Sequence, residues 1–105
     1  MRMTLEALAR HVARRARQNP AGYTRELMKK GLPHSAKKLG EEAVETVVAA
    51  LRENDERLVA EAADLLYHLV VVLKLREVPL SRVHRELYKR SRRSVLDPKA
   101  LKRGT

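Results

Sequence analysis

Two pairs of acids bracket a turn in this sequence, and their placement limits how the chain can fold. Glu42 and Glu45 precede Asn54-Asp55, and Glu61 and Asp64 follow it. The members of each pair are three residues apart, so on an α-helix each pair shares one face. Both pairs are also symmetric about residue 53. Glu45 and Glu61 stand equally far from it, as do Glu42 and Asp64. In an antiparallel helical hairpin, residues equidistant from the turn lie at one height. A hairpin closed on these faces brings four carboxylates to one level. They repel one another unless protonated or bound to a cation. An all-oxygen donor set suits a hard ion, Mg²⁺ first, with Mn²⁺ able to substitute.

The plainer reading of such acids is a solvated helix face, with Lys37 and Lys38 pairing locally to Glu41 and Glu42. That accounts tolerably for the first pair. It does not account for Asp64, which sits among Ala62, Ala63, Leu65 and Leu66 in the interior of an apolar helix, where an aspartate is costly. A di-iron bundle needs a Glu-x-x-His on each of two helices. Here only His68 is in range, four residues beyond Asp64.

The rest of the chain also reads as helix. Thr4 is placed to cap a first helix with the apolar stripe Leu5, Leu8, Ala9, Val12 and Ala16, ending before Pro20. A short second helix is expected from Thr24 to near Gly31. Pro33 then separates it from a third, capped by Ser35 and running to about Glu53. On the third helix Glu41, Glu42 and Glu45 share an arc of about 100°, across from Leu39, Ala43, Val47, Ala50 and Leu51. The turn at Asn54-Asp55 leads into a fourth helix, the most apolar, to about Arg76. A last helix is expected over 82–92. The expectation is an all-α fold: a small bundle of about five helices around a central antiparallel helical hairpin. Residues 1–94 would form the domain and 95–105 a loose basic tail.

Composition narrows the function. With 105 residues and no cysteine, disulfides and thiolate zinc sites are excluded, and the core is thin enough to make oligomerisation expected. The apolar excess at Val70, Val71, Val72 and Leu73 is compatible with a subunit interface. No stretch is long enough to span a bilayer, and no N-terminal segment has signal-peptide character, so a cytoplasmic location is expected. The net charge of +10 is unevenly spread. Residues 1–38 carry ten Lys/Arg against two acids, residues 39–80 four against nine, and residues 81–105 nine against two. An acidic centre would repel the phosphates of a nucleic acid. With a divalent metal at that centre, the basic arms suit a small polyanion instead.

Two segments carry a specific resemblance. Lys37-Lys38-Leu39-Gly40-Glu41-Glu42-Ala43-Val44-Glu45 and Glu61-Ala62-Ala63-Asp64-Leu65-Leu66-Tyr67-His68-Leu69 resemble the phosphoribosyl-ATP pyrophosphohydrolases of histidine biosynthesis. These are members of the all-α nucleotide pyrophosphohydrolase superfamily, together with MazG-type proteins and dimeric dUTPases. Tyr23-Thr24 with Leu27 and Lys30-Gly31, and the ending with Leu80, Val83, Glu86-Leu87 and Arg90, resemble the same branch. The likeness covers roughly residues 4–93. Two positions depart from it: Gly22 stands where a serine is common, and Glu77 where a glycine often ends the long helix.

The resemblance implies hydrolysis of phosphoribosyl-ATP to phosphoribosyl-AMP and pyrophosphate. It implies Glu42, Glu45, Glu61 and Asp64 as ligands of Mg²⁺, and a homodimer or higher homo-oligomer. Glu41, one helical step from the ligands, would orient the attacking water or act as base, unless it is a solvated partner of Lys37. Lys37 and Lys38 lie one turn before the acids and could reach phosphate, as Tyr23 and Thr24 could reach the substrate. His68 either touches a metal-bound water or phosphate, or is an interior histidine. Arg90, Arg92 and Arg93 are candidates for the ribosyl 5′-phosphate, with a solvated basic helix end as the plainer reading. A cyclohydrolase is sometimes fused to this enzyme, and none of the cysteines for its zinc site is present, so the pyrophosphohydrolase alone is expected. Two alternatives stand beside this reading: a house-cleaning hydrolase of aberrant nucleoside triphosphates, and a basic helical nucleic-acid-binding module.

Overall fold

The computed structural model describes residues 2–18 and 22–92, and all regular structure among them is helical. Five helices follow in order: α1 (Leu5–Gln18), α2 (Tyr23–Lys30), α3 (Leu32–Arg52), α4 (Asp55–Leu75) and α5 (Leu80–Ser91). The expected tail at 95–105 lies outside the described residues.

Local chemistry sets the boundaries. The Thr4 hydroxyl accepts from the Ala7 N–H at 3.1 Å and caps α1 as expected. The start of α3 differs from expectation. Pro33 sits inside its first turn and Ser35 is a fully buried interior residue, its hydroxyl directed at the Leu27 carbonyl, 3.4 Å away. Gly31 makes this possible: at φ 88° and ψ 178° it occupies backbone space open essentially to glycine alone. The chain reverses at that single residue, and a proline in the first helical turn loses no hydrogen bond. Similarly, α2 begins at Tyr23 with Gly22 as its N-cap, and α5 begins at Leu80, two residues earlier than expected.

The hairpin of α3 and α4 is the dominant contact of the fold. Each helix has 21 residues, a length of about 30 Å. Asn54 caps α4 by accepting from the Arg57 N–H at 2.9 Å. Against the end of the hairpin remote from the turn pack α1 and α2, where Val12, Leu27, Val70 and Val71 form the core. Leu8, Ala9, Met28, Tyr67 and Leu75 close around it. The Arg25 guanidinium donates to the Ala16 carbonyl at 2.6 Å, tying α2 to the end of α1. On the other side, His84 of α5 meets Glu6 of α1 at 2.9 Å.

The apolar surface is distributed differently from the expectation. Val70 and Val71 are taken into the subunit's own core, and Val72 and Leu73 are half-buried. One group of exposed apolar side chains lies instead along the turn-proximal half of the hairpin: Val44, Val47, Val48, Leu51 and Val59, with Leu51 78% exposed. The hairpin brings Glu42, Glu45 and Glu61 together between its helices, and part of the α3 stripe is turned outward. Among the described residues no helix is long and apolar enough to cross a membrane.

Candidate active site

The carboxylates of Glu42, Glu45 and Glu61 converge where α3 and α4 face one another. One carboxylate oxygen from each lies within 4.8 Å of the other two. Glu42 and Glu61 are buried and Glu45 is exposed, so the cluster opens to solvent on the Glu45 side. Thr46 ties the two helices together here. Its hydroxyl is 2.7 Å from the Glu42 carbonyl and 3.2 Å from the Glu61 carbonyl across the hairpin. Sequence reading passed over Thr46, although it stands next to Glu45 and its hydroxyl can serve backbone oxygens on either helix.

The electrostatics are those of a crowded anionic site. Glu61 is pushed up to about 7, first by the hydrogen bond it shares with Glu45, then by burial and by the charge of Glu45; Glu42 adds to this, and Arg57 opposes it. Near neutral pH Glu61 therefore holds its proton much of the time. Two oxygens at this site, Glu42 Oε2 and Glu61 Oε2, are buried without a hydrogen-bond partner. Unpaired buried carboxylate oxygens are costly, and a divalent cation bound by these residues would relieve that cost. The donor set of carboxylate oxygens fits Mg²⁺.

Asp64 is not part of this trio. It is exposed on α4, one turn beyond Glu61 and about 60° around the helix from it. Equal distance from the turn fixes height, not direction, and the converging oxygens are those of Glu42, Glu45 and Glu61. Its backbone carbonyl is occupied by His68 Nδ1 at 2.8 Å.

The basic residues divide by their surroundings. Lys38 Nζ lies 3.8 Å from Glu41 and 4.0 Å from Glu42, so it screens the acids. Lys37 lines a groove of about 630 Å³ with Gly40, Glu41, Val44 and Glu45. Glu41 thus stands beside Glu45 with its side chain to solvent. Arg57 was missed by sequence reading. Its guanidinium donates to Glu61 at 3.0 Å and lies 3.5 Å from Glu53. The four-residue spacing of Arg57 and Glu61 was the available signal.

Tyr23, Thr24 and His68 come together between α2 and α4, joined by Tyr67. His68 Nδ1 lies against the Asp64 carbonyl and must carry a proton to donate there. In the neutral ring, Nε2 is then an acceptor, and the Tyr23 hydroxyl donates to it at 3.1 Å. Thr24 and Tyr67 share a short hydroxyl–hydroxyl hydrogen bond. The Tyr23 and Tyr67 rings are stacked with centroids 6.0 Å apart, and Tyr67 meets His68 edge-on at 5.2 Å. Burial pushes the Tyr67 phenol up, against the hydrogen bond from Thr24, which keeps it protonated. His68 is thereby a buried, fully hydrogen-bonded interior histidine. On α5, Arg90 pairs with Glu86 at 3.0 Å and Arg92 lies over the Tyr88 ring. Arg93 lies outside the described residues.

Comparison with known proteins identifies the family. Residues 5–91 match the family model for phosphoribosyl-ATP pyrophosphohydrolase. The phosphoribosyl-ATP pyrophosphatase 1 of Bradyrhizobium diazoefficiens is 49% identical over 100 residues, covering 94% of each chain. The phosphoribosyl-ATP pyrophosphatase of Rhizobium meliloti is 52% identical over 98 residues, covering 92% of each. That of the archaeon Pyrobaculum calidifontis is 53% identical over 87 residues, covering 82% of this chain and 93% of its own. A match across the whole hairpin and its flanking helices, at about half identity in both bacteria and an archaeon, is decisive: the chain belongs to the phosphoribosyl-ATP pyrophosphohydrolase family.

Proposed function

We propose that this chain hydrolyses the α–β phosphoanhydride of phosphoribosyl-ATP, giving phosphoribosyl-AMP and pyrophosphate, the second step of histidine biosynthesis. The observation that carries the chemistry is the Glu42–Glu45–Glu61 cluster with its two orphaned oxygens. The substrate follows from the family and from the names of relatives at about 50% identity, which favour phosphoribosyl-ATP over miscellaneous nucleoside triphosphates. A cytoplasmic location goes with that metabolic role.

Glu42, Glu45 and Glu61 would hold Mg²⁺, with Asp64 at the rim completing the set once the triphosphate brings further charge. The ion, when bound, offsets charge on the phosphate oxygens and makes a bound water more acidic. The protein's own groups do the rest. Glu41, exposed beside Glu45, accepts a proton from the attacking water and fixes its direction. Lys37, in the same groove, meets the phosphate chain from the solvent side. Lys38 balances the buried charge of Glu42. Arg57 holds Glu61 in place, so a ligand carboxylate is oriented before the ion arrives. Water attacks the α-phosphorus, the bond from it to the bridging oxygen breaks, and pyrophosphate leaves with that oxygen.

A homodimer or higher homo-oligomer is part of this reading. The exposed apolar run from Val44 to Leu51, continued by Val59, is supporting ground, because a small subunit gains by covering such a surface.

Pyrophosphate release from phosphoribosyl-ATP and from a panel of nucleoside triphosphates, with Mg²⁺ and with chelator, tests the proposal. Metal-dependent turnover of phosphoribosyl-ATP in preference to the panel is the expected result. Equal or better turnover of simple triphosphates would transfer the protein to the house-cleaning class. No turnover together with salt-sensitive binding of DNA or RNA would favour a nucleic-acid module.

A further inference from the structure

A second cavity, of about 310 Å³, opens between α1, α2 and α4 and is lined by His11, Arg15, Gly22, Tyr23, Thr24 and Tyr67. Its charge is of one sign. Lys38, Arg57 and Arg90 each have a carboxylate partner, and Lys37 shares its groove with Glu41 and Glu45. No carboxylate among the described residues lines this cavity. Among the described residues, neither Arg15 nor His11 makes a hydrogen bond or ion pair. The three hydroxyls in the wall are already committed, Tyr23 to His68 and Thr24 to Tyr67. The stacked Tyr23 and Tyr67 rings make that wall stiff. What remains uncommitted is a guanidinium and an imidazole, both aimed at the same space. Such a site takes an anion.

The position of the cavity relative to the carboxylates identifies which anion. Tyr67 follows Glu61 by six residues on α4, an axial rise of about 9 Å. Asp64 stands between them, both in height and around the helix. A ligand whose anhydride sits at Glu42, Glu45 and Glu61 can run past Asp64 and place a second anionic group about one nucleoside length away, against α1. Phosphoribosyl-ATP has such a group, and ATP does not.

We propose that this cavity binds the phosphomonoester of the substrate's N1-linked ribose, with Arg15 as its principal ligand and His11 beside it. The proposal rests on the phosphoribosyl-ATP reading above and assigns the residues that separate this substrate from an ordinary nucleoside triphosphate. The planar fork of Arg15 suits bidentate contact with two phosphate oxygens, which a lysine ammonium reproduces only as a point charge. The rigid Tyr23–His68 and Thr24–Tyr67 pairs hold the opposite wall and position the ribose. Arg90 and Arg92, the other basic candidates, are engaged with Glu86 and Tyr88 on α5.

The test compares wild type with Arg15→Gln, Arg15→Lys and, as a surface control, Arg17→Gln. For each, KM and kcat for phosphoribosyl-ATP are measured, together with inhibition by phosphoribosyl-AMP and by AMP. The expected result for Arg15→Gln is a rise in KM of about tenfold or more, as for loss of a charge-assisted hydrogen bond. That rise should exceed any fall in kcat, because the contact is made in ground state and transition state alike. The preference for phosphoribosyl-AMP over AMP as inhibitor should collapse toward parity, with AMP inhibition itself little moved. Arg15→Lys should fall between, and Arg17→Gln should match wild type. Retention of the full phosphoribosyl-AMP preference in Arg15→Gln overturns the assignment while leaving the proposed reaction standing. Failure of the wild type to turn over phosphoribosyl-ATP removes the reaction and this assignment together.

Discussion

Glu77 ends α4 in a conformation that suits glycine, and replacing it should stabilise the protein. Its φ is 56°, the one positive value at a non-glycine residue among those described. Around it the Glu77 N–H donates to the Lys74 carbonyl at 3.0 Å, and the Val78 N–H to the Leu73 carbonyl at 2.9 Å. This paired arrangement terminates many helices, and it needs a left-handed residue where Glu77 stands. A left-handed L-residue costs about 1–2 kcal/mol. Glycine removes that cost but returns about 0.4–1 kcal/mol through the greater freedom of the unfolded chain. The net expectation for Glu77→Gly is a gain of about 0.5–1 kcal/mol. In urea, with a slope near 1 kcal/mol/M for so small a chain, the midpoint should rise by about 0.5–1 M. All variants must be compared at one protomer concentration. Glu77→Ala is the control, since it keeps the strain and should sit near wild type. An unchanged or lowered midpoint for Glu77→Gly, with an unaltered slope, would refute the reasoning. Phosphoribosyl-ATP turnover should be the same in all three, because residue 77 lies sixteen positions beyond Glu61, about 24 Å along the helix direction.

The remaining predictions concern the hinge and the site. Gly31→Ala places a Cβ on backbone at φ 88° and ψ 178°, so thermal or urea denaturation should show a loss of about 1–3 kcal/mol. Without metal, stability should fall as pH rises from about 4.5 toward 7, because Glu61, raised to about 7, binds its proton more tightly in the folded state than in the unfolded one. Urea midpoints across pH 5–8 with chelator would show this slope, and Glu61→Gln should flatten it. Stabilisation by Mg²⁺ should run the other way, growing as pH passes 7 and the proton departs. Arg57→Ala removes the one group that holds Glu61 down, so the pH midpoint of Mg²⁺ binding should move upward. Glu45→Gln should bring the raised Glu61 titration down and abolish metal-dependent turnover, with the helical circular dichroism signal kept.

Much of this was legible in the sequence, for reasons that differ residue by residue. The hairpin was readable because Asn54 carries a cap that any helix start can use, and because carboxylate spacing on both sides agrees with antiparallel pairing. Convergence of Glu42, Glu45 and Glu61 followed from that register. The placement of Asp64 did not, since register gives height and the rotation of α4 against α3 depends on side-chain packing along the whole interface. Ser35 misled as a helix cap because a serine after a proline has the local form of a start. The true start depends on Gly31 entering a backbone region that no pattern of neighbours announces. Arg57 was hidden for the opposite reason: an arginine four residues before a glutamate is commonplace on solvated helices. Burial of Glu61 alone makes this pair consequential, and burial is a tertiary property.

The outward apolar face of α3 and its inward acids have one cause. A helix pair that must bring carboxylates together gives up its best apolar contact along the same length. Here Glu42 and Thr46 occupy positions facing α4, while Val44, Val47, Val48 and Leu51 face outward. The core is accordingly displaced to the remote end, where α1 and α2 cover Val70 and Val71. The turn-proximal half is therefore held by Thr46, the Asn54 cap and the Arg57 ion pairs. It is thin in apolar packing and carries a Glu45–Glu61 pair that is relaxed only by a proton or a cation. Two kinds of ligand should stabilise this half: a divalent ion within the hairpin and, on the proposed reading, a second subunit against its outer face. The two should be additive if they act on opposite faces. Mg²⁺ should then raise the unfolding midpoint by a similar amount in wild type and in a Leu51→Glu variant, whose own midpoint is lowered by poor association. A Mg²⁺ effect that vanishes in Leu51→Glu would show instead that the metal cluster exists only in the assembled form.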